Sequence, residues 1–454
     1  MKELNFLLIG QAHSVHFISL INYLDNFLNE IESENKNIIH KVYILPSYPY
    51  DWGTDQSVFK QRFRVLKIPV RMDINEKTNL TKKFKIFRRK IFALMPQFLK
   101  ESFELDIAKI RLINWDASVR KMFKRTYPLE INPLKSEIRL IKYATPHRFK
   151  HTLDFASNNH ILNIKFDSIW IIDALSAGYL FEEIKKYINT SGKIYLTSYG
   201  SDFFWFADKK NHSKKLCSLL KGVDYVQNET YRDKEILKKL KYRNNFFEPC
   251  HATFRSIESL EKNQDQIKRN KKFQIVIQGS NRFIEQDFVK KSLNSIYNCI
   301  SKNLSPSNKY KIAIFRSKKE DLDYWKSISN SEIELIDYGS WLSQDDLFKL
   351  FGNSKFFIHP SMSDGVSNCC LEASFMDCLP ITSPNNGFTE LLIPEIKKTL
   401  ITKKEDPYDF GYLIEKIINK ETDEIKMLNN SIKNQIRIYL NEDKYKIVLN
   451  KIFK

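Results

Sequence analysis

Ser363-Asp364-Gly365-Val366-Ser367-Asn368-Cys369-Cys370-Leu371-Glu372-Ala373-Ser374 follows Lys355-Phe356-Phe357-Ile358-His359-Pro360, and these two segments decide the fold. An apolar run ends in Pro360 and small polar residues, Gly365 permits a tight backbone path, and an apolar-rich stretch at helical spacing follows. The pattern predicts a strand, a loop and a helix start. Such a junction turns unpaired backbone N–H groups and the positive end of a helix dipole toward the strand's carboxyl end, where an anion is best held. Asp364 and Glu372 stand at the two ends of that junction. Eight residues span roughly 12 Å if helical. The spacing suits a sugar at one carboxylate and a ribose at the other, with a diphosphate between.

Working outward, apolar runs alternate with segments of helical spacing. On the N-terminal side, strands are predicted at 6–9, 41–45, 168–172, 193–197 and 223–227, with helices at 16–27, 177–187 and 230–240. Residues 255–272 are polar and charged with few apolar anchors and read as a linker. A second series follows: strands at 273–277, 311–315, 333–336, 356–359 and 380–382, and helices at 285–301, 319–327, 344–351, from 368, and at 406–418. Alternation of this kind implies α/β architecture, with parallel sheets wrapped by helices in two doubly wound domains facing a cleft. The expected division is 1–254 with a basic, aromatic insertion at about 50–160, the linker 255–272, a second domain at 273–430, and a terminal helical segment at 431–454.

The 454 residues are enough for two cores. Lys and Arg number 73 against 54 Asp and Glu, leaving +19, so a polyanion, an anionic membrane or an anionic small substrate are the candidate partners. Abundant Lys, Asn and Ile beside only 12 Gly point to compositional bias behind part of that charge. The six cysteines form no CxxC pair and no metal-like spacing with His, which fits a reducing compartment. The apolar run at the N-terminus is too short for a signal peptide or a membrane span, and no later run reaches about 18 residues, so a cytoplasmic location is expected. Basic residues are scattered without a nucleic-acid-binding motif, and no nucleic-acid partner is expected.

Three further features join the opening one: Leu379-Pro380, Asn386-Gly387-Phe388-Thr389-Glu390-Leu391-Leu392, and the N-terminal fragments Ile9-Gly10-Gln11-Ala12-His13-Ser14-Val15-His16, Asp173-Ala174-Leu175-Ser176-Ala177-Gly178 and Tyr199-Gly200-Ser201-Asp202. With Asp364-x7-Glu372, their order resembles the GT-B glycosyltransferases of the retaining family 4 (group 1), whose pattern is Glu-Gly-x6-Glu-Ala, Gly-Leu-Pro, Gly-Gly-x-x-Glu. The likeness spans most of the chain outside 50–160.

The resemblance implies a nucleotide-diphosphate sugar as donor, a hydroxyl of a surface polysaccharide or glycolipid as acceptor, and no metal or other cofactor. Glu372 would grip the nucleotide ribose, since a carboxylate accepts two hydroxyl hydrogen bonds. Asp364, one methylene shorter than the family's glutamate, would lie against the donor sugar. Amides of Gly365, Val366, Ser367 and Asn368 would meet the sugar or diphosphate, with Gly279 close by. Gly10, Asp173, Ser201 and Asp202 would line the acceptor side, with His16 as a catalytic candidate there. The family's Arg after the glycine and its Lys five residues on are absent from Gln278-Gly279-Ser280-Asn281-Arg282; Arg282 is displaced by two, and Arg316 or Lys318 are the substitutes. The family's His before Asp173 is Ile172 here.

Each feature also has a plain structural reading. His16 would cap or pack a helix, Asp202 would cap one, and Cys369 and Cys370 would be buried small hydrophobes. Asp321-Leu322-Asp323 matches a metal-binding pattern but sits in a charged helical surface segment. In 79–100, Leu80, Phe84, Phe87, Ile91, Leu94, Met95 and Phe98 recur at helical spacing opposite Lys82, Lys83, Lys85, Arg89 and Lys90. That is a helix docking peripherally on an anionic membrane surface, or one packed into the first domain with a solvated basic face. Two other functions stay open: an epimerase or hydrolase of nucleotide sugars, and a non-catalytic binding or scaffolding member.

Overall fold

The computed structural model of the chain describes residues 2–10, 15–46, 62–65, 164–185, 188–204, 207–208, 210–266, 271–279, 286–303, 310–317, 323, 326–327, 333–339, 342–361, 364–403 and 406–454. The expected membrane-docking stretch 79–100, nearly all of the 50–160 insertion, and Arg282, Lys318, Asp321 and Leu322 lie outside them. Two compact units divide the chain: 1–196 with 209–224 and Phe453, and 197–208 with 225–452 and Lys454.

In its first half the chain runs β1 (Lys2–Gly10), α1 (Val15–Glu34), β2 (Ile38–Pro46), β3 (Phe63–Val65), β4 (Lys165–Ile172), α2 (Ser176–Ile184), β5 (Asn189–Thr197), α3 (Gly200–Phe204), α4 (Lys210–Lys221) and β6 (Tyr225–Gln227). Strand β1 begins exposed and ends with Phe6, Leu7, Leu8 and Ile9 buried, as a central parallel strand must. It pairs in parallel with β2 and β4. Helix α1 buries Phe17, Leu20, Ile21, Leu24, Phe27, Leu28 and Ile31, one stripe at helical spacing.

After α5 (Tyr231–Lys239) and β7 (Asn245–Phe246) come α6 (Ile257–Gln266), β8 (Phe273–Gln278), α7 (Gln286–Asn303), β9 (Tyr310–Phe315) and β10 (Ile333–Asp337). Then follow α8 (Gln344–Gly352), β11 (Ser354–His359), α9 (Asn368–Phe375), β12 (Leu379–Thr382), α10 (Pro394–Leu400), α11 (Asp409–Ile417), α12 (Thr422–Tyr439) and α13 (Glu442–Phe453). Strand order is β3-β2-β1-β4-β5-β6-β7 in one sheet and β10-β9-β8-β11-β12 in the other. The second sheet is parallel throughout. Its centre is Ile275, Val276, Ile277, Ile312, Ala313, Ile314, Phe356, Phe357 and Ile358, all buried.

Much of the stretch expected to be an irregular linker is helical. Residues 257–266 form α6, and Leu260 is 0% exposed in the core of the second unit with Ile257 packed against it. One apolar pair three positions apart was enough to seat a helix whose remaining face is polar. The second unit takes in α3, β6, α5 and β7. At the other end, only Phe453 of the terminal helix counts with the first unit. Among the described residues no helix is long and apolar enough to cross a membrane.

Candidate functional site

In the second sheet the chain winds outward from β8, to β9 on one side and to β11 on the other. Register brings the carboxyl ends level: Gln278 stands beside Phe315, Ile277 beside Ile358, and His359 beside Thr382. A switch point of this kind leaves a crevice beyond the strand ends, where ligands of open α/β sheets bind. Gly279, Arg316 and the 364–367 loop all emerge there. The loops approach closely, since a Cβ on Gly279 would lie 2.8 Å from Ser317 Cα and 2.9 Å from Arg316 O. Arg316 takes a left-handed φ of 57° while its N–H donates to Gly339 O at 2.8 Å.

The loop ends at Ser367, from which α9 starts. Asp364 keeps its side chain 27% exposed, and its Oδ1 accepts the N–H of Gly365 at 3.1 Å. Val366 is buried, and its N–H donates to Glu229 Oε2 at 3.2 Å. Two of the amides expected to meet a ligand are therefore engaged by carboxyl groups of the chain itself. Glu229 Oε1 accepts the N–H of Ala252 at 3.1 Å, so this one side chain joins the 364–367 loop to the segment after β7. Burial, with Asp364 and Asp233 adding repulsion, pushes the Glu229 carboxyl up to about 8 against the two N–H groups that pull it down.

Glu372 is buried on the second turn of α9. Its Oε1 accepts from Arg255 Nη2 at 2.9 Å and from Gln344 Nε2 at 3.2 Å. Burial raises this carboxyl above the usual range, while Arg255, Gln344 and Arg316 oppose the rise. Arg255 is only 11% exposed at its side chain, and its Nε has no hydrogen-bond partner among the described residues. The Cys369 thiol, pushed up to about 12 chiefly by burial, is raised further by Glu372 and Asp364 and lowered by Arg316 and Arg255. Asp364, Glu372 and Arg255, with Arg316 near enough to act on Glu372 and Cys369, thus gather about the start of α9.

A second segment braces the loop from the side. Gly387 N–H donates to Gly365 O at 3.0 Å, and Arg232 Nη2 donates to Asp364 O at 3.0 Å, with Arg232 Nη1 on Asn385 O. A Cβ on Gly387 would lie 2.4 Å from Thr230 Cγ2 and 2.9 Å from the Gly365 carbonyl carbon, a closeness that only glycine allows.

The remaining expected residues belong to other elements. Gly10 ends β1, buried, and His16 lies in α1. Asp173, at φ 87°, accepts Leu175 N–H on Oδ1 at 2.7 Å and Gly178 N–H on its carbonyl at 2.9 Å, closing the turn into α2. Ser201 and Asp202 lie in α3, where Asp202 Oδ2 accepts Tyr199 N–H at 3.1 Å, the work of a helix cap. Among the described residues no group of acids, histidines and cysteines could hold a metal ion. Sequence reasoning missed Glu229, Arg232, Arg255 and Gln344, since each acts on residues more than 25 positions away.

Residues 252–437 match the family Glycosyl transferases group 1. Over those residues the chain has the sequence pattern of a group 1 glycosyltransferase domain. No curated protein matches the sequence. Solved structures do match along nearly all of it. The apo structure of OtsA superposes with a TM-score of 0.61 at 9% identity, over 99% of each chain. Sucrose-phosphate synthase from Thermosynechococcus elongatus gives 0.57 at 11%, over 99% of this chain and 98% of that one. Anabaena HepE in complex with UDP and glucose gives 0.54 at 9%, over 98% and 99%. At these identities the likeness is one of fold, and the chain has the GT-B fold of two Rossmann-like domains.

Proposed function

We propose that the glycosyltransferase moves a sugar from a nucleotide-diphosphate sugar to a hydroxyl of a surface polysaccharide or glycolipid, with retention at the anomeric carbon and without a metal. The observation that carries this reading is the meeting of Asp364, Glu372, Arg255 and Arg316 at the start of α9. Glu372 Oε1 already holds two N–H donors, so a ribose would take its other oxygen. The diphosphate would lie between Arg316, the Arg255 guanidinium and the helix start. As the anomeric C–O bond to the diphosphate breaks and the bond to the acceptor oxygen forms, the departing phosphate gains charge that these cations stabilise, and the hydroxyl proton leaves with it.

A phosphorylated sugar acceptor is the second reading, favoured because sucrose-phosphate synthase shares the fold. Thermal stabilisation by UDP, GDP, ADP, CMP and dTDP identifies the base, because a bound nucleotide raises stability by mass action. UDP comes first, being the nucleotide in the HepE complex. Glu372→Ala is expected to abolish the stabilisation and the turnover; a variant as active as the parent chain refutes the assignment of this site.

A further inference from the structure

Directly behind Asp364 stands a buried histidine whose proton position the surrounding groups dictate. His359 ends β11, 4% exposed, with its ring stacked on Phe357 at 5.8 Å and 14°. Asn386, fully buried, accepts Phe388 N–H on Oδ1 at 3.0 Å, which fixes the orientation of its amide. Its Nδ2 therefore donates, to Thr382 Oγ1 at 3.2 Å and to His359 Nδ1 at 2.9 Å. Thr382 Oγ1 spends its own proton on His359 O at 2.9 Å and is free to accept.

An amide nitrogen cannot accept, so His359 Nδ1 must be the bare nitrogen of a neutral ring, and the proton sits on Nε2. The Cys370 Sγ atom, 3.7 Å from Nδ1, is a thiol that burial keeps protonated and adds only a weak donor to the same nitrogen. Nε2 faces Asp364 Oδ2 at 3.8 Å. Asp364 Oδ1 accepts Gly365 N–H, and Oδ2 is the oxygen on the His359 side. A movement of about 1 Å brings Nε2–H and Oδ2 into hydrogen-bond range.

We propose that His359 is a positioning residue, its tautomer set by Asn386, that presents Nε2–H to Asp364 and holds this carboxylate in the orientation the donor sugar meets. The proposal rests on the donor-side reading of Asp364 given above. Asp364 touches the ligand; His359 acts only through it, as buried partners of site carboxylates commonly do.

Two measurements decide it. In the full-length chain with 15N-labelled histidine, and His359 assigned by its loss in His359→Gln, a bare Nδ1 and a protonated Nε2 are expected at about pH 7. A protonated Nδ1 overturns the proposal, whatever the chain does to sugars. Asn386→Asp, which replaces the donor with an acceptor, is expected to invert the tautomer. In hydrolysis of UDP-glucose, His359→Phe and Asn386→Asp should each lower kcat on the order of 10-fold. KM and stabilisation by UDP should stay within about two-fold. His359→Gln, which can both donate and accept, should regain most of the loss. An unchanged kcat in His359→Phe overturns the proposal. Failure of the parent chain to bind UDP or turn over UDP-glucose counts against the donor chosen, and the tautomer spectrum then decides alone.

Discussion

The N–H of Val366 donates to the carboxyl group of Glu229 at 3.2 Å, placing a buried acid against the loop that precedes α9. The Glu229 carboxyl is pushed up from its ordinary 4.5 to about 8, so the folded chain holds this proton more tightly than the unfolded chain. Stability from this group is fully present below about pH 4.5 and is lost as pH rises from there through about 8, by up to about 5 kcal/mol. Asp233, raised to about 6 mainly by burial, acts in the same direction. Urea unfolding at a series of pH values should show a slope in the parent chain that Glu229→Gln flattens; identical slopes would mean that Glu229 is ionised in the folded chain.

Glu372 and Arg255 form an ion pair with side chains 6% and 11% exposed. Glu372→Ala strands the Arg255 charge and is expected to cost roughly 3–5 kcal/mol. Replacing both, as Glu372→Met with Arg255→Met, should cost clearly less than the two single changes added. Denaturant midpoints of the three variants make the cycle, and simple additivity would show that the pair is not coupled.

Gly387→Ala places a methyl group against the Thr230 side chain and the backbone of Gly365, with an expected loss of about 1–3 kcal/mol. Adding Thr230→Ser removes the obstructing methyl while keeping the helix-capping hydroxyl. Because the Gly365 backbone remains, only part of the stability should return. Thermal melts of the single and double variants test this, and full recovery would remove Gly365 from the argument.

Much of this architecture can be read from residue order. Phe356 to His359, the small-residue loop and the spacing from Asn368 onward identify a strand, a turn and a helix, because period and breaker residues are local properties. Arg255 is invisible by the same logic. It sits in a polar run and acquires its meaning only from Glu372, 117 positions away. Ile257 and Leu260 likewise look like stray apolar residues until the helix that buries them is in view. Glu229 in Asn228-Glu229-Thr230 reads as surface, and its burial follows from the approach of the 364–367 loop. The turn geometry that gives Asp173 and Arg316 positive φ leaves no trace in residue type, since neither is a glycine.

The first turn of α5 carries a final consequence, for the order in which the chain folds as it is made. Thr230 Oγ1 accepts Asp233 N–H at 3.1 Å, a bond the segment can form by itself. The N–H groups of Tyr231 and Arg232 are instead met by Glu390, at 2.7 and 3.0 Å, from 159 and 158 positions further on. At synthesis rates of about 5–20 residues per second, that carboxylate emerges roughly ten to thirty seconds after the helix it caps. Through that interval α5 holds one local cap bond and leaves two amides to water. Its completion marks the moment when the 364–392 region has folded against it.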